Sequence, residues 1–253
     1  MLTVNADDLG RCTVATDRIM ECFAANRISA ASAMVFMQDS ERAAALARSA
    51  GLDVGLHVNF TENLTGPNVP QQVRREHERI RKFLRRSKYA LLLYNPFLRR
   101  AFRELFQGQA EEFQRLYGRP PLRIDGHQHM HLCTNMLLDR ILPAGTKVRR
   151  NFSFSHVEKS FVNRYYRKIA DRRLRQRYRL TDYFFALSQH LEPWRFRRVI
   201  LAAKTAKVEL MTHPQVDDEF TFLLGDDYAD ALGEVQLGNF ESQDDLHQVE
   251  LVS

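Results

Sequence analysis

Short runs of apolar and β-branched residues recur along the chain, separated by longer stretches whose apolar positions repeat at helical spacing. The runs predict strands at Leu2–Asn5, Ser32–Met37, Val54–Val58, Leu122–Asp125, Lys147–Arg150, Asp182–Ala186 and Lys207–Thr212, with Val235–Asn239 as an eighth. Helical patterns fill the gaps at Thr16–Asn26 and Ser40–Ser49, with Ser40 as a candidate N-cap and Gly51 as a candidate stop. Seven or eight strands alternating with helices predict a parallel α/β fold, and at this length a barrel is favoured over an open sheet. The alternation breaks once, at about 68–121. That stretch is too long for a simple crossover and carries helically spaced apolar positions, among them Leu92, Phe97, Phe102, Leu105 and Phe106. It reads as a helical insertion after the third strand, within a single domain spanning 1–253.

Composition narrows the picture. A chain of 253 residues with 44% hydrophobic content can bury a sizeable core. No apolar run approaches the roughly 20 residues needed to cross a bilayer. The opening MLTVNADDLG lacks a basic start, an apolar stretch and a small-residue cleavage site, so a cytoplasmic location is expected. Three scattered cysteines without CxxC spacing argue against a disulfide scaffold or a cysteine-rich zinc site, and are expected to be reduced and structural. Cys133 stands out only because it follows a histidine cluster.

The net charge of +6 is unevenly spread. Residues 74–103 hold eleven Lys/Arg against two Glu, and residues 159–179 hold nine against one Asp, leaving the rest of the chain clearly acidic. Such segments suit an anionic membrane surface or a phosphorylated substrate, or else form a solvated helix face. No nucleic-acid partner is expected. A homodimer is compatible with the sequence.

Polar residues gather at the ends of predicted strands, where parallel barrels bind their ligands. The first strand runs into Asp7 and Asp8, the third into His57 and Asn59, and the fourth into Asp125 followed by His127, His129 and His131. The fifth ends at Arg149 and Arg150, and the seventh at His213. A catalytic divalent site takes three imidazole or carboxylate ligands and leaves a position open. One carboxylate of the Asp7–Asp8 pair, His57 and one histidine of the D-G-H-Q-H-M-H run would supply such a set. In an extended chain His127, His129 and His131 would share one face. His213, if unbound to metal, suits protonation of a leaving group. A Gly-rich phosphate loop and a G-x-S-x-G elbow are both absent from the sequence, which favours metal-activated water over covalent catalysis.

NADDLG, GLHVNFTENLTGP, RPPLRIDGHQHMH and ELMTHP, in that order, resemble the ChbG/YdjC family of carbohydrate deacetylases, which includes the HpnK-like group. The resemblance covers most of the chain. It implies a distorted (β/α) barrel and a metal-dependent hydrolase that removes an N-acetyl group from an acetylated saccharide. By motif it implies Asp8, His57 and His127 as metal ligands, Asp7 as catalytic base and His213 as acid or substrate contact. His129, His131, Arg149 and Asn59 would then meet substrate. The cofactor would be one divalent ion, magnesium by resemblance, whereas mixed Asp/His2 ligation suits zinc. Two alternatives stay open: a metal-dependent amidohydrolase acting on a lipid- or nucleotide-linked amino sugar, and a noncatalytic barrel that binds sugar or nucleic acid.

Overall fold

In the computed structural model of the chain, which describes residues 1–87, 89–153 and 171–240, the first strand runs further than its apolar pattern predicts. β1 (Leu2–Leu9) is buried at every position and carries Asp7 and Asp8 within it. An apolar pattern cannot register that extension, because the two carboxylates are buried by virtue of partners distant in sequence. The remaining strands are β2 (Ala30–Ala33), β3 (Asp53–Val58), β4 (Arg123–Gly126), β5 (Lys147–Val148), β6 (Tyr183–Ala186) and β7 (Val208–Thr212). Their order in the sheet is β5-β4-β3-β2-β1-β7-β6. Taken as a circle, every strand neighbours its successor in the chain, and the break falls between β5 and β6. This is the expected parallel α/β barrel type, with seven strands among the described residues. The second and fifth strands differ from their expected limits: β2 starts two residues earlier and ends at Ala33, and β5 is only two residues long.

The chain forms two compact units. The first comprises Met1–Asp7, Arg18–Ala31 and the chain from Lys147 onward. Here β1 pairs in parallel with β7 from Leu2↔Val208 to Ala6↔Thr212, and β6 pairs with β7 from Tyr183↔Val208 to Ala186↔Met211. Val235–Asn239 forms no strand. It makes one isolated bridge, Leu2↔Leu237, with Leu2 N–H donating to Gln236 O and Gly238 N–H to Leu2 O. Gly238 brings no side chain to pack, so the ladder does not extend.

The second unit comprises Asp8–Asp17 and Ser32–Thr146. β3 and β4 pair in parallel, and their register sets His57 beside Asp125. α1 (Thr13–Ala24) precedes β2, and α2 (Ser40–Ala50) ends at Gly51, whose φ of 70° supplies the left-handed cap expected of it. Its N-cap is Asp39 rather than Ser40; the Ser40 hydroxyl accepts from Met37 N and donates to Met34 O, which ties the approach to the helix. Within 68–121 lie two helices, α3 (Gln71–Leu84) and α4 (Arg99–Tyr117), with two short 3-10 turns between them. Ile80, Phe102, Leu105 and Phe113 are fully buried, and Phe102 meets Phe60 edge-on at 5.2 Å. The basic segment 159–179 lies outside the described residues as far as residue 170.

α3 also buries a titratable group. His77 is 3% exposed and its Nε2 has no hydrogen-bond partner among the described residues. Burial, aided by the charge of Arg81, pushes its pKa down from 6.5 to about 4. The unfolded chain therefore takes up this proton first, and stability present above pH 6.5 is lost as pH falls towards 4. At pH 5 the loss is about 2 kcal/mol. Urea unfolding at pH 7 and pH 5 should show this loss in the wild type and a smaller one in His77→Leu; equal losses would assign the acid sensitivity to other groups.

Candidate metal centre

Asp8 sits where β1 meets the turn to Gly10, with φ of 69°, a left-handed conformation that Asp tolerates better than most residues. Its carboxylate is 2% exposed. Asp8 Oδ1 lies 2.9 Å from His127 Nδ1 and 3.4 Å from His57 Nε2. Arg11 Nη1 reaches the other oxygen at 3.3 Å. Burial raises the Asp8 pKa, but the hydrogen bonds from His127 and His57 outweigh it and hold the carboxyl well below the ordinary carboxylate range. Asp8 is thus an anion at neutral pH.

Each histidine is oriented from behind. His57 Nδ1 is 2.7 Å from Asp125 Oδ1, while Asp125 Oδ2 accepts from Ser32 Oγ at 2.6 Å and Arg123 Nη1 at 3.2 Å. A carboxylate so paired only accepts, so Nδ1 of His57 carries a hydrogen and donates it to Asp125, which turns Nε2 towards Asp8. This is the carboxylate–histidine arrangement that orients metal-binding imidazoles. His127 Nε2 faces Glu62 Oε2 at 3.0 Å, and Glu62 is also paired with Arg11 at 2.8 Å. The imidazoles of His57 and His127 meet edge-on at 5.8 Å. Ligand atoms of Asp8, His57 and His127 all lie within 4.8 Å of one another. One carboxylate oxygen and two imidazole nitrogens form a donor set that could hold a single divalent ion.

The histidine run does not behave as an extended chain. After β4 the backbone turns into a short helical stretch, His127–Leu132, in which Gln128 and His129 take positive φ of 52° and 58°. The period-two expectation for His127, His129 and His131 therefore fails. Gly126 permits the turn, since a Cβ there would come within 2.9 Å of His131 N. His127 faces Asp8, His129 is half-buried and His131 is fully buried. Cys133, just beyond, is buried with its thiol pushed up to about 12 by burial, which makes it unreactive.

Asn59 is also fully buried, and its side chain serves its own loop. Asn59 Oδ1 accepts from Thr61 N and Glu62 N, and Nδ2 donates to Glu62 O. From α4, Gln109 accepts from Asn59 N at 2.7 Å and donates to Asn59 O at 3.1 Å. The insertion thereby pins the loop that brings Glu62 to His127. Sequence reasoning did not single out Glu62, Gln109 or Arg11, and passed over Asp125 as a site residue. Only Asp125 left a local signal, two residues before His127.

The other expected residues belong to the first unit. Asp7 is buried and receives a bidentate pair from Arg149 at 2.6 and 2.7 Å, plus a hydrogen bond from Asn5 Nδ2 at 2.8 Å. Arg149 also donates to Glu209 at 2.7 Å and is 2% exposed. Its guanidinium is thus committed to two internal carboxylates. His213 is half-buried; its backbone N–H donates to Glu219 Oε2 at 2.7 Å, and its Nδ1 lies 3.7 Å from Glu219 Oε1.

Comparison with known proteins bears on the whole chain. The profile of the family described as YdjC-like protein matches residues 1–248. A carbohydrate deacetylase of Mus musculus is 35% identical over 135 residues, covering 52% of this chain and 43% of its own length. A chitooligosaccharide deacetylase of Serratia marcescens is 34% identical over 134 residues, covering 52% and 51%. The matched region thus spans about half the length of these curated relatives. A solved structure from Enterococcus faecalis V583, named for cellobiose-phosphate cleavage, has a TM-score of 0.66 at 17% identity over 96% of this chain and 98% of its own. That likeness concerns the fold.

Replacing Asp125 by Asn should leave the fold intact but put an NH2 in place of one accepting oxygen; Arg123 and Ser32 hold the remaining oxygen, so the NH2 faces His57 and its tautomer is no longer fixed. Divalent-metal affinity measured by calorimetry should fall about 10- to 100-fold. Unchanged affinity would show that Asp125 does not orient a ligand.

Proposed function

Because the chain belongs to the YdjC-like family, we propose that it is a metal-dependent hydrolase removing the acetyl group from an N-acetylated sugar. The observation that carries this reading is the convergence of Asp8, His57 and His127 ligand atoms within 4.8 Å. The deacetylase names of the curated relatives support the substrate class.

In this proposal Asp8, His57 and His127 hold the ion. When bound, it would acidify a water and polarise the amide carbonyl. The ligand set suits zinc, since magnesium favours oxygen ligands and retains several waters; the family resemblance points to magnesium, and metal analysis of the purified protein distinguishes them. Asp7, next to Asp8 in β1, is assigned as the base that accepts the proton of the attacking water. Arg149 fixes both of its oxygens, so Arg149 is assigned as a positioning residue for Asp7 rather than a substrate contact. His213, fixed through its backbone by Glu219, is assigned the proton donated to the departing amine. His129, half-buried, is the better candidate of its run to meet the sugar, because His131 is fully buried.

Acetate release from N-acetylated oligosaccharides tests the reading. Wild-type protein should release acetate, lose the activity on chelation and regain it with added metal. Asp7→Asn should lower kcat by at least about 100-fold while metal content stays the same. Undiminished turnover in Asp7→Asn would remove Asp7 as the base, and turnover that survives complete metal removal would remove the metal.

Asp8→Asn separates ligation from backbone conformation. Asn tolerates the left-handed φ as Asp does, so the variant should keep the far-UV circular dichroism of the wild type while metal content falls to near zero. Retained metal in this variant would exclude Asp8 as a ligand.

A further inference from the structure

The loop joining α3 to α4 presents large apolar side chains to solvent. Phe97 is 87% exposed, Leu92 and Leu93 are each 51% exposed, and Tyr89 and Tyr94 are exposed as well. Such a cluster on one short segment is uncommon on a surface that only meets water. The loop is nevertheless built and anchored. Ala90 and Leu98 are buried beneath it. Thr134 Oγ1 donates to Leu91 O at 3.1 Å, and Asn135 both accepts from Asn95 N at 3.0 Å and donates to Asn95 O at 2.9 Å. Tyr94 and Arg99 both reach Asp139 Oδ1, at 2.9 and 3.1 Å. These contacts spend the loop's polar groups on the body of the protein and leave its apolar side chains outward.

Charge surrounds this apolar tip. From residue 79 to residue 103 the chain has nine Lys/Arg and no Asp or Glu. Exposed Lys82, Arg85, Arg86 and Arg103 make no ion pair among the described residues. Aromatic and aliphatic side chains flanked along the chain by exposed cations match the interface of an anionic bilayer, where Tyr and Phe enter the headgroup region and Lys/Arg meet the lipid charge. A second copy of this chain fits less well, because a twofold contact would set these cations against themselves. Nucleic acid would use the cations but leave Leu92, Leu93 and Phe97 without a role. No helix among the described residues is long and apolar enough to cross a membrane.

The geometry points to the 89–97 loop and its flanking cations as a peripheral docking surface for anionic lipid membranes. The inference is independent of the catalytic reading and does not rely on the metal centre.

Flotation of the full chain with phosphatidylcholine vesicles, with or without roughly 30% phosphatidylserine, tests it. Wild type should bind only the anionic vesicles and release in high salt. Arg85→Gln/Arg86→Gln/Arg103→Gln should weaken binding on the order of a hundredfold, at about fivefold per charge. Leu92→Ser/Phe97→Ser should also lose binding, although it keeps every cation. All five positions are exposed, and far-UV circular dichroism verifies that the variants fold. No binding of wild type to anionic vesicles overturns the inference, as does binding that survives Leu92→Ser/Phe97→Ser. Sedimentation showing a dimer abolished by the Leu92/Phe97 variant would assign the loop to self-association and would likewise overturn it.

Discussion

A buried carboxylate held in a left-handed backbone is the constraint on which the second unit is arranged. Asp8 gives up its hydration and adopts a φ that costs on the order of 1–2 kcal/mol for a residue with a Cβ. Burial alone would neutralise it. It remains an anion because His127 and His57 donate to the same oxygen and Arg11 reaches the other. Those donors come from three places in the chain, and each needs its own support. Asp125 turns His57, while Glu62 backs His127 and pairs with Arg11.

The helical insertion has two physical roles that its amphipathic pattern does not distinguish. On its inner face, α3 and α4 close over Phe60 and pin the loop after β3 through Gln109. Gln109 satisfies both backbone polar groups of Asn59 in a place that water does not reach, so the 59–62 loop is fixed. On its outer face the connection between the helices holds apolar side chains in solvent. Tight anchoring to Asn135 and Asp139 makes that exposure a property of the folded state.

In the first unit, charge balance is equally local. Asp7, Arg149 and Glu209 form a buried chain with two carboxylates on one guanidinium. Removing the arginine would take a charged partner from two buried carboxyl groups, so its bidentate geometry is tied to stability as well as to the orientation of Asp7.

Much of this was legible in the chain itself. Periodicity located seven strands, the insertion and the Gly51 stop, because burial of one face leaves a local record at period two or 3.6. The motifs NADD, GLH and DGH singled out Asp8, His57 and His127, and the fold brings their side chains together. What periodicity missed depends on distant partners. β1 continues through Asp7 and Asp8 because buried donors offset their charge, and the histidine run turns because Gly126 lets the chain fold back. Arg149 and Asn59 read as substrate contacts in one dimension, yet the fold spends Arg149 on Asp7 and Glu209, and Asn59 on its own loop. Glu62, Gln109 and Arg11 carry no signal along the chain, since a hydrogen bond between residues fifty positions apart exists only once the backbone has brought them together. Pattern and motif thus determined the elements and the residue types that gather at the strand ends, whereas tertiary structure alone decided which partner each polar group meets.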